Sequence, residues 1–180
     1  MRYKKTEETL RRFAQHVILE ARKNLKDKDK NVSSKLSDSI TYKAEEYANS
    51  IFLSFSMEDY GWFQDRGVRG TESGRSLDNF RYKKTSNLVG LEAATGIFAA
   101  WAKSRGLFSA GKFDQPRSRK GQFQGYATLG YILANSIKKK GIKPSMFFTK
   151  PFEKLFKDLP DELIESYGLD VEDLIQYIRK

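Results

Sequence analysis

The sequence predicts an α+β fold: a small antiparallel β-sheet packed by a long N-terminal helix, with a helical C-terminal half. Three observations predict it. Apolar residues recur at three- and four-residue steps from Leu10 to Leu25, the stripe of an amphipathic helix. Two short segments, 40–44 and 51–56, alternate apolar and polar residues instead, as half-buried strands do. From Tyr126 onward the helical period dominates, interrupted by an extended stretch at 142–148. At 180 residues, 39% hydrophobic and 31% charged, the composition is that of a globular domain with room for an extension.

The first helix carries Leu10, Phe13, Ala14, Val17, Ile18, Ala21 and Leu25 on one face. Thr6 is its expected N-cap, Glu7 and Glu8 suit the positive end of its dipole, and the polar run 26–31 is its expected end. His16 falls on the charged face with Arg12, Glu20 and Lys23, where it is expected to be solvated. Turn-forming residues 33–39 lead into the two strands, joined across residues 45–49, with Ile51, Leu53 and Phe55 on one face. Residues 60–70 then read as an aromatic, glycine-punctuated loop, followed by a polar loop to about residue 84. Between Arg66 and Lys84 six basic residues stand against two acidic ones.

A second helix fits Leu91, Ala94, Phe98, Trp101 and Ala102, stopped by Gly106. A basic loop, 112–120, precedes a third helix through Tyr126, Leu129, Leu133 and Ile137, closed by Lys138, Lys139, Lys140 and Gly141. Residues 142–148 form an extended aromatic connection. Thr149 or Lys150 is the expected cap of a helix with Pro151 in first position, burying Phe152, Leu155, Phe156 and Leu159. Pro160 ends that helix and opens the next, which Gly168 is expected to close. Asp170 is the expected cap of a last helix carrying Val171, Leu174, Ile175 and Ile178.

Charge is unevenly shared. The chain holds 33 Lys and Arg against 23 Asp and Glu, net +10, but residues 151–180 hold eight acids and four bases, net −4. The expected division is a body, 1–150, with a basic insertion at about 70–125, and an acidic helical extension, 151–180. Such asymmetry suits head-to-tail packing of identical subunits, and it equally describes a solvated helical tail.

Several chemistries lack their residues. There is no cysteine and one histidine, which removes disulfide scaffolds, thiolate zinc sites, cysteine nucleophiles and two-histidine metal sites. The glycine pairs Gly67/Gly70 and Gly121/Gly125 lack phosphate-loop spacing. Carboxylate pairs (Glu45 with Glu46, Glu58 with Asp59, Asp161 with Glu162, Glu172 with Asp173) stand mostly at helix starts or on polar faces, not as a set of metal ligands. No catalytic residue, metal or cofactor is expected, and neither an enzyme activity nor a membrane partner. The basic start has no apolar stretch behind it, so no secretory signal is expected.

Contact residues are better represented. Tyr60, Trp62 and Phe63 stand beside glycines, and Phe147 and Phe148 follow a proline. Aromatic residues so placed either cap a core or anchor an interface. Basic residues interleave with aromatics in Phe80-Arg-Tyr-Lys-Lys84, and again from Arg117 to Tyr126, a mixture able to bind a polyanion.

The order of these pieces resembles the head–tail connector proteins of tailed bacteriophages, also called neck, tail-completion or head–tail joining proteins. The resemblance rests on the long first helix, then Ser34-Lys-Leu-Ser-Asp-Ser-Ile40 entering the first strand, then the strand pair to Ser56. Tyr60-Gly-Trp-Phe-Gln-Asp-Arg-Gly67 follows, and Ile142-Lys-Pro-Ser-Met-Phe-Phe148 leads into Pro151 and a helix. It covers residues 6–70 and 126–160; the insertion at 70–125 and the acidic helices after Pro160 depart from it. The resemblance implies a structural virion protein forming a ring, six- or twelve-fold, around the DNA exit channel. Its partners would be copies of itself, a portal or adaptor protein, tail proteins and, non-specifically, phage DNA. Its place would be the virion, and the bacterial cytoplasm during assembly.

On this reading Trp62, Phe63, Arg66 and Arg69 are candidates for one contact loop, and Met146, Phe147 and Phe148 for another. Arg75, Arg81, Lys83, Lys84, Arg117, Arg119 and Lys120 are candidates for contacts with neighbouring virion proteins or the channel. The alternative is a monomeric basic nucleic-acid-binding protein, with a metal-dependent nuclease as its enzymatic form.

Overall fold

A computed structural model describes residues 3–27, 34–47, 50–83, 96–106 and 125–179. Its element order is α1 (Lys4–Asp27), α2 (Lys35–Ser39), β1 (Thr41–Tyr47), β2 (Ser50–Ser56), α3 (Tyr60–Arg66), β3 (Val68–Arg69), α4 (Ile97–Ser104), α5 (Gly125–Lys140), β4 (Gly141–Ile142), α6 (Thr149–Phe156) and α7 (Leu159–Ile178). The class is α+β and mostly helix, with the long first helix, the small antiparallel sheet and the helical C-terminal half that the periodicities predict. Packing divides the chain into two compact units, Met1–Gly61 with Met146–Lys180, and Trp62–Ser145. The division therefore does not fall at residue 150: the acidic C-terminal helices share a unit with α1.

In the first unit α1 buries every residue of the expected stripe, with Thr9 beside it. β1 and β2 pair antiparallel with Tyr42 opposite Phe55 and Ala44 opposite Leu53. Tyr42, Ile51, Leu53 and Phe55 turn one face of the hairpin onto the core of α1, Leu36, Ile40, Phe147, Phe148 and Leu159. The strands run further than the alternation marked, to Tyr47 and from Ser50, so only residues 48 and 49 lie between them. Rings make the centre. Phe13 meets Phe152 edge-on at 5.6 Å and Phe55 meets Phe148 at 5.3 Å, while Phe152 stacks on Phe156 at 5.5 Å. Each such pair adds about 0.5–1.5 kcal/mol beyond the area it buries.

Four expected helix boundaries are corrected. Gly168 does not stop a helix; α7 runs through it for 20 residues, because packing on α1 outweighs the roughly 1 kcal/mol that a mid-helix glycine costs. Asp170, expected to cap its own helix, caps α1 instead. Its Oδ1 accepts the Lys5 N–H at 3.0 Å, and its Oδ2 accepts the Thr6 N–H at 2.9 Å and the Thr6 hydroxyl at 2.8 Å. Thr6 therefore donates within the first turn and is not the N-cap. The first turn of a helix has unpaired N–H groups, and a carboxylate from another helix satisfies them as well as a local one. α6 likewise starts earlier than expected, with Pro151 at its third residue, where a missing N–H is still harmless.

In the second unit Ala102 and Leu129 form a small cluster with Trp101, Tyr126 and Leu133 against them, and Val68, Ala99 and Ala134 are also buried. Backbone does much of the joining. β3 pairs with β4, Val68 opposite Ile142 and Arg69 opposite Gly141. The N–H groups of Thr71, Glu72 and Ser73 reach the carbonyls of Lys138 and Lys139 at 2.9–3.1 Å, satisfying the exposed C-terminal end of α5. Gly141 ends α5 at φ 82°, and a Cβ there would strike the Val68 carbonyl.

Candidate interaction surface

Residues 60–66, expected as a loop, form the short helix α3. Its C-terminal signal was present in the sequence: Gly67, at φ 77°, closes the helix with its N–H on the Phe63 carbonyl at 3.0 Å. The helix buries Gly61 and Asp65 and exposes Trp62 and Phe63. Gly61 is required, since a Cβ there would collide with Met57 and Leu36.

Around α3 the polar groups act as clamps. Arg66, expected at a contact surface, makes a two-point pair with Asp78, Nε to Oδ2 and Nη2 to Oδ1, both at 3.0 Å. Hydrogen bonding from Arg66 holds the Asp78 carboxyl below its ordinary value. Leu77 N–H reaches the Arg66 carbonyl at 2.8 Å, and Ser76 Oγ donates to the Gly67 carbonyl at 2.8 Å. Ser145 adds its N–H and its hydroxyl to the Gln64 carbonyl, at 3.2 and 2.7 Å. Phe63 packs edge-on against Phe80 at 5.0 Å, leaving its other side in solvent beside Trp62. The result is a fixed aromatic platform, held from below by hydrogen bonds.

Beside the platform Arg69 and Arg81 lie on bridged backbones: Arg69 N–H bonds to the Phe80 carbonyl and Tyr82 N–H to the Arg69 carbonyl, both at 2.9 Å. Both arginines are exposed, as are Arg75 and Lys83. Lys84, Arg117, Arg119 and Lys120 lie outside the described residues.

The second expected contact loop is corrected. Phe147 is fully buried and Phe148 nearly so, both in the first unit's core, with the Phe147 carbonyl accepting from Asn24 Nδ2 at 3.2 Å. Met146, half-buried at φ 50°, begins that unit and starts the turn into α6. The run of aromatics is there for packing: Phe148 stacks on Phe152 one turn later, a staple across the start of α6. Proline followed by aromatics and then an amphipathic helix was the available signal. Trp62, Phe63, Arg66 and Arg69 thus belong to one unit and Met146, Phe147 and Phe148 to the other.

His16 is exposed, as its face predicts. Among the described residues no three of His, Cys, Asp or Glu converge where they could hold a metal ion, and no helix is long and apolar enough to cross a membrane. Compared with known proteins, the chain matches no family model, no curated protein and no solved structure.

Proposed function

We propose that this chain is a structural virion protein that assembles as a ring at the head–tail junction of a tailed bacteriophage, around the channel through which DNA leaves. The observation that carries this reading is the platform on α3. The segment Tyr60-Gly-Trp-Phe-Gln-Asp-Arg-Gly67, which resembles a connector motif, turns its glycines and Asp65 inward, ties Arg66 to Asp78, and presents Trp62 and Phe63 outward. Exposed, rigidly held aromatic residues are the usual anchors of protein interfaces, because little conformational freedom is lost when they dock. The partners are further copies of the chain and the portal or adaptor and tail proteins above and below. No bond is made or broken in this role.

Electron microscopy of particles carrying this polypeptide tests the reading: a symmetric collar of it is expected at the portal vertex, and its absence there refutes the proposal. Replacing Trp62 by Ala should abolish the ring and leave the monomer folded. Phe63→Ala should do the same with some loss of stability, since Phe63 also packs on Phe80.

A second reading, binding of nucleic acid by Trp62–Ser145, draws on the adjacent exposed Arg69 and Arg81. It requires duplex affinity that falls steeply with added salt. A flat salt response removes it.

A further inference from the structure

α7 carries two rows of acids with different fates. Glu162, Asp170 and Asp173 face α1: Glu162 pairs with Arg12 at 3.2 Å, Asp173 with Lys5 at 2.8 Å, and Asp170 caps the α1 N-terminus. Asp161, Glu165 and Glu172 fall about a quarter-turn to a third of a turn away and are exposed. Among the described residues these three form no ion pair with Lys or Arg. Next to them runs an apolar row, Ile164, Gly168, Val171, Ile175 and Ile178, whose steps of four and three are those of a helix–helix seam. Ile164 and Ile178 are both 72% exposed. Gly168 sits in mid-helix with nothing within 4 Å of the place a Cβ would take, so no contact within the chain requires it.

We infer that this seam docks on the basic unit, Trp62–Ser145, of a second copy of the chain. The unit boundaries separate charge sharply. Trp62–Ser145 holds 16 Lys and Arg against 5 Asp and Glu, net +11, while the rest holds 17 against 18, net −1. An antiparallel α7-to-α7 pairing would set the rows of Asp161, Glu165 and Glu172 against each other, and like charges at a helix seam oppose association. Basic side chains relieve that repulsion, and Arg69, Arg75, Arg81 and Lys83 are exposed on that unit of each copy. Gly168 then marks the point where the neighbour comes closest. The contact joins two different surfaces, the kind of contact that closes into rings. The identity of the partner rests on the proposed ring.

The chain has no cysteine, so Gln176→Cys gives a single site, beside Ile175, for a photo-crosslinking maleimide. In a mixture of isotopically light and heavy full-length chains, crosslinks from α7 of one copy to residues 62–145 of another are expected. Crosslinks from α7 to α7, crosslinks confined to one chain, or failure of the protein to self-associate at its highest soluble concentration overturn the inference. Ile164→Asp with Ile178→Asp, at exposed sites, should leave the monomer's melting curve in place and weaken self-association about tenfold or more. Glu165→Lys with Glu172→Lys should also weaken it. A normal ring from the Ile164→Asp, Ile178→Asp variant retains the connector reading and overturns the α7 contact. Crosslinks from α7 to 62–145 in a species that is not a ring do the reverse.

Discussion

In Met1–Gly61 with Met146–Lys180 the core is built on aromatic rings and long aliphatic side chains; among the described residues of Trp62–Ser145 the buried side chains are mostly small, and backbone pairing joins the pieces. The first unit closes Phe13, Phe55, Phe148 and Phe152 around one face of α1, and its charges nearly cancel. The second, net +11, relies on the β3–β4 pair, on N–H groups capping the end of α5, and on glycines that let those backbones touch. The difference teaches where each property resides. A unit held by buried apolar area draws its stability from a contribution that does not depend on charge. A basic unit repels itself, and an anion or an acidic neighbour stabilises it.

Both tryptophans, Trp62 and Trp101, lie in the second unit, so their fluorescence reports on it, while far-ultraviolet circular dichroism is dominated by the long helices of the first. The comparison is broken or sharpened by reading both signals in the same denaturation. The largest effect is expected from Phe147→Ala. It empties a fully buried site and should cost about 3–5 kcal/mol on the dichroism transition, with the tryptophan transition much less affected. Equal shifts in both signals would mean that the units unfold as one.

Gly141→Ala probes the other unit. A Cβ there meets the Val68 carbonyl in a backbone conformation that alanine adopts poorly, so about 2 kcal/mol or more should be lost, seen first in tryptophan fluorescence. A neutral result would show that the β3–β4 junction does not hold the unit together.

Asp170→Ala should cost the first unit about 1–2 kcal/mol by stripping the cap from α1. It also carries a pH signature. Burial pushes the Asp170 carboxyl up, but the N–H groups of Thr6 and Lys5, the Thr6 hydroxyl and the Lys5 charge outweigh it and hold the group below its ordinary value. Its contribution is therefore complete above the unfolded carboxylate range, near pH 4, and is lost as pH falls through the lower folded value. Acid titration of wild type and variant should show their stabilities converging below about pH 4. Parallel curves would refute the cap.

The smallest effect runs the other way. Gly168→Ala should stabilise the isolated chain by about 0.5–1 kcal/mol, because the helix gains a better former in open space. A loss of stability would mean that α7 is not continuous there.

Much of this fold was legible in the one-dimensional pattern, and the exceptions are specific. The α1 stripe from Leu10 to Leu25, the alternation of Ile51, Leu53 and Phe55, and the α5 face of Leu129 and Leu133 were read from spacing alone, because a single periodic face needs no knowledge of what covers it. The candidate surface was only half legible. Trp62, Phe63, Arg69, Arg75, Arg81 and Lys83 are exposed as expected, but Arg66 is tied to Asp78, and Phe147 and Phe148 are core. An aromatic residue after a proline has the same local sequence whether it meets α1 or solvent.

What the order of residues determined by itself is local: helix and strand periods, the glycine stop at Gly141, the basic middle and the acidic end. These depend on neighbours within a turn or a strand pair, where geometry is set by the backbone. What only tertiary structure decided is which distant groups meet. Asp170 serves the start of α1 and not its own helix, Gly168 is carried through by packing, and the charge divides at residues 61 and 145. Those outcomes turn on contacts across more than a hundred residues, whose free energy appears only when both partners are already in place.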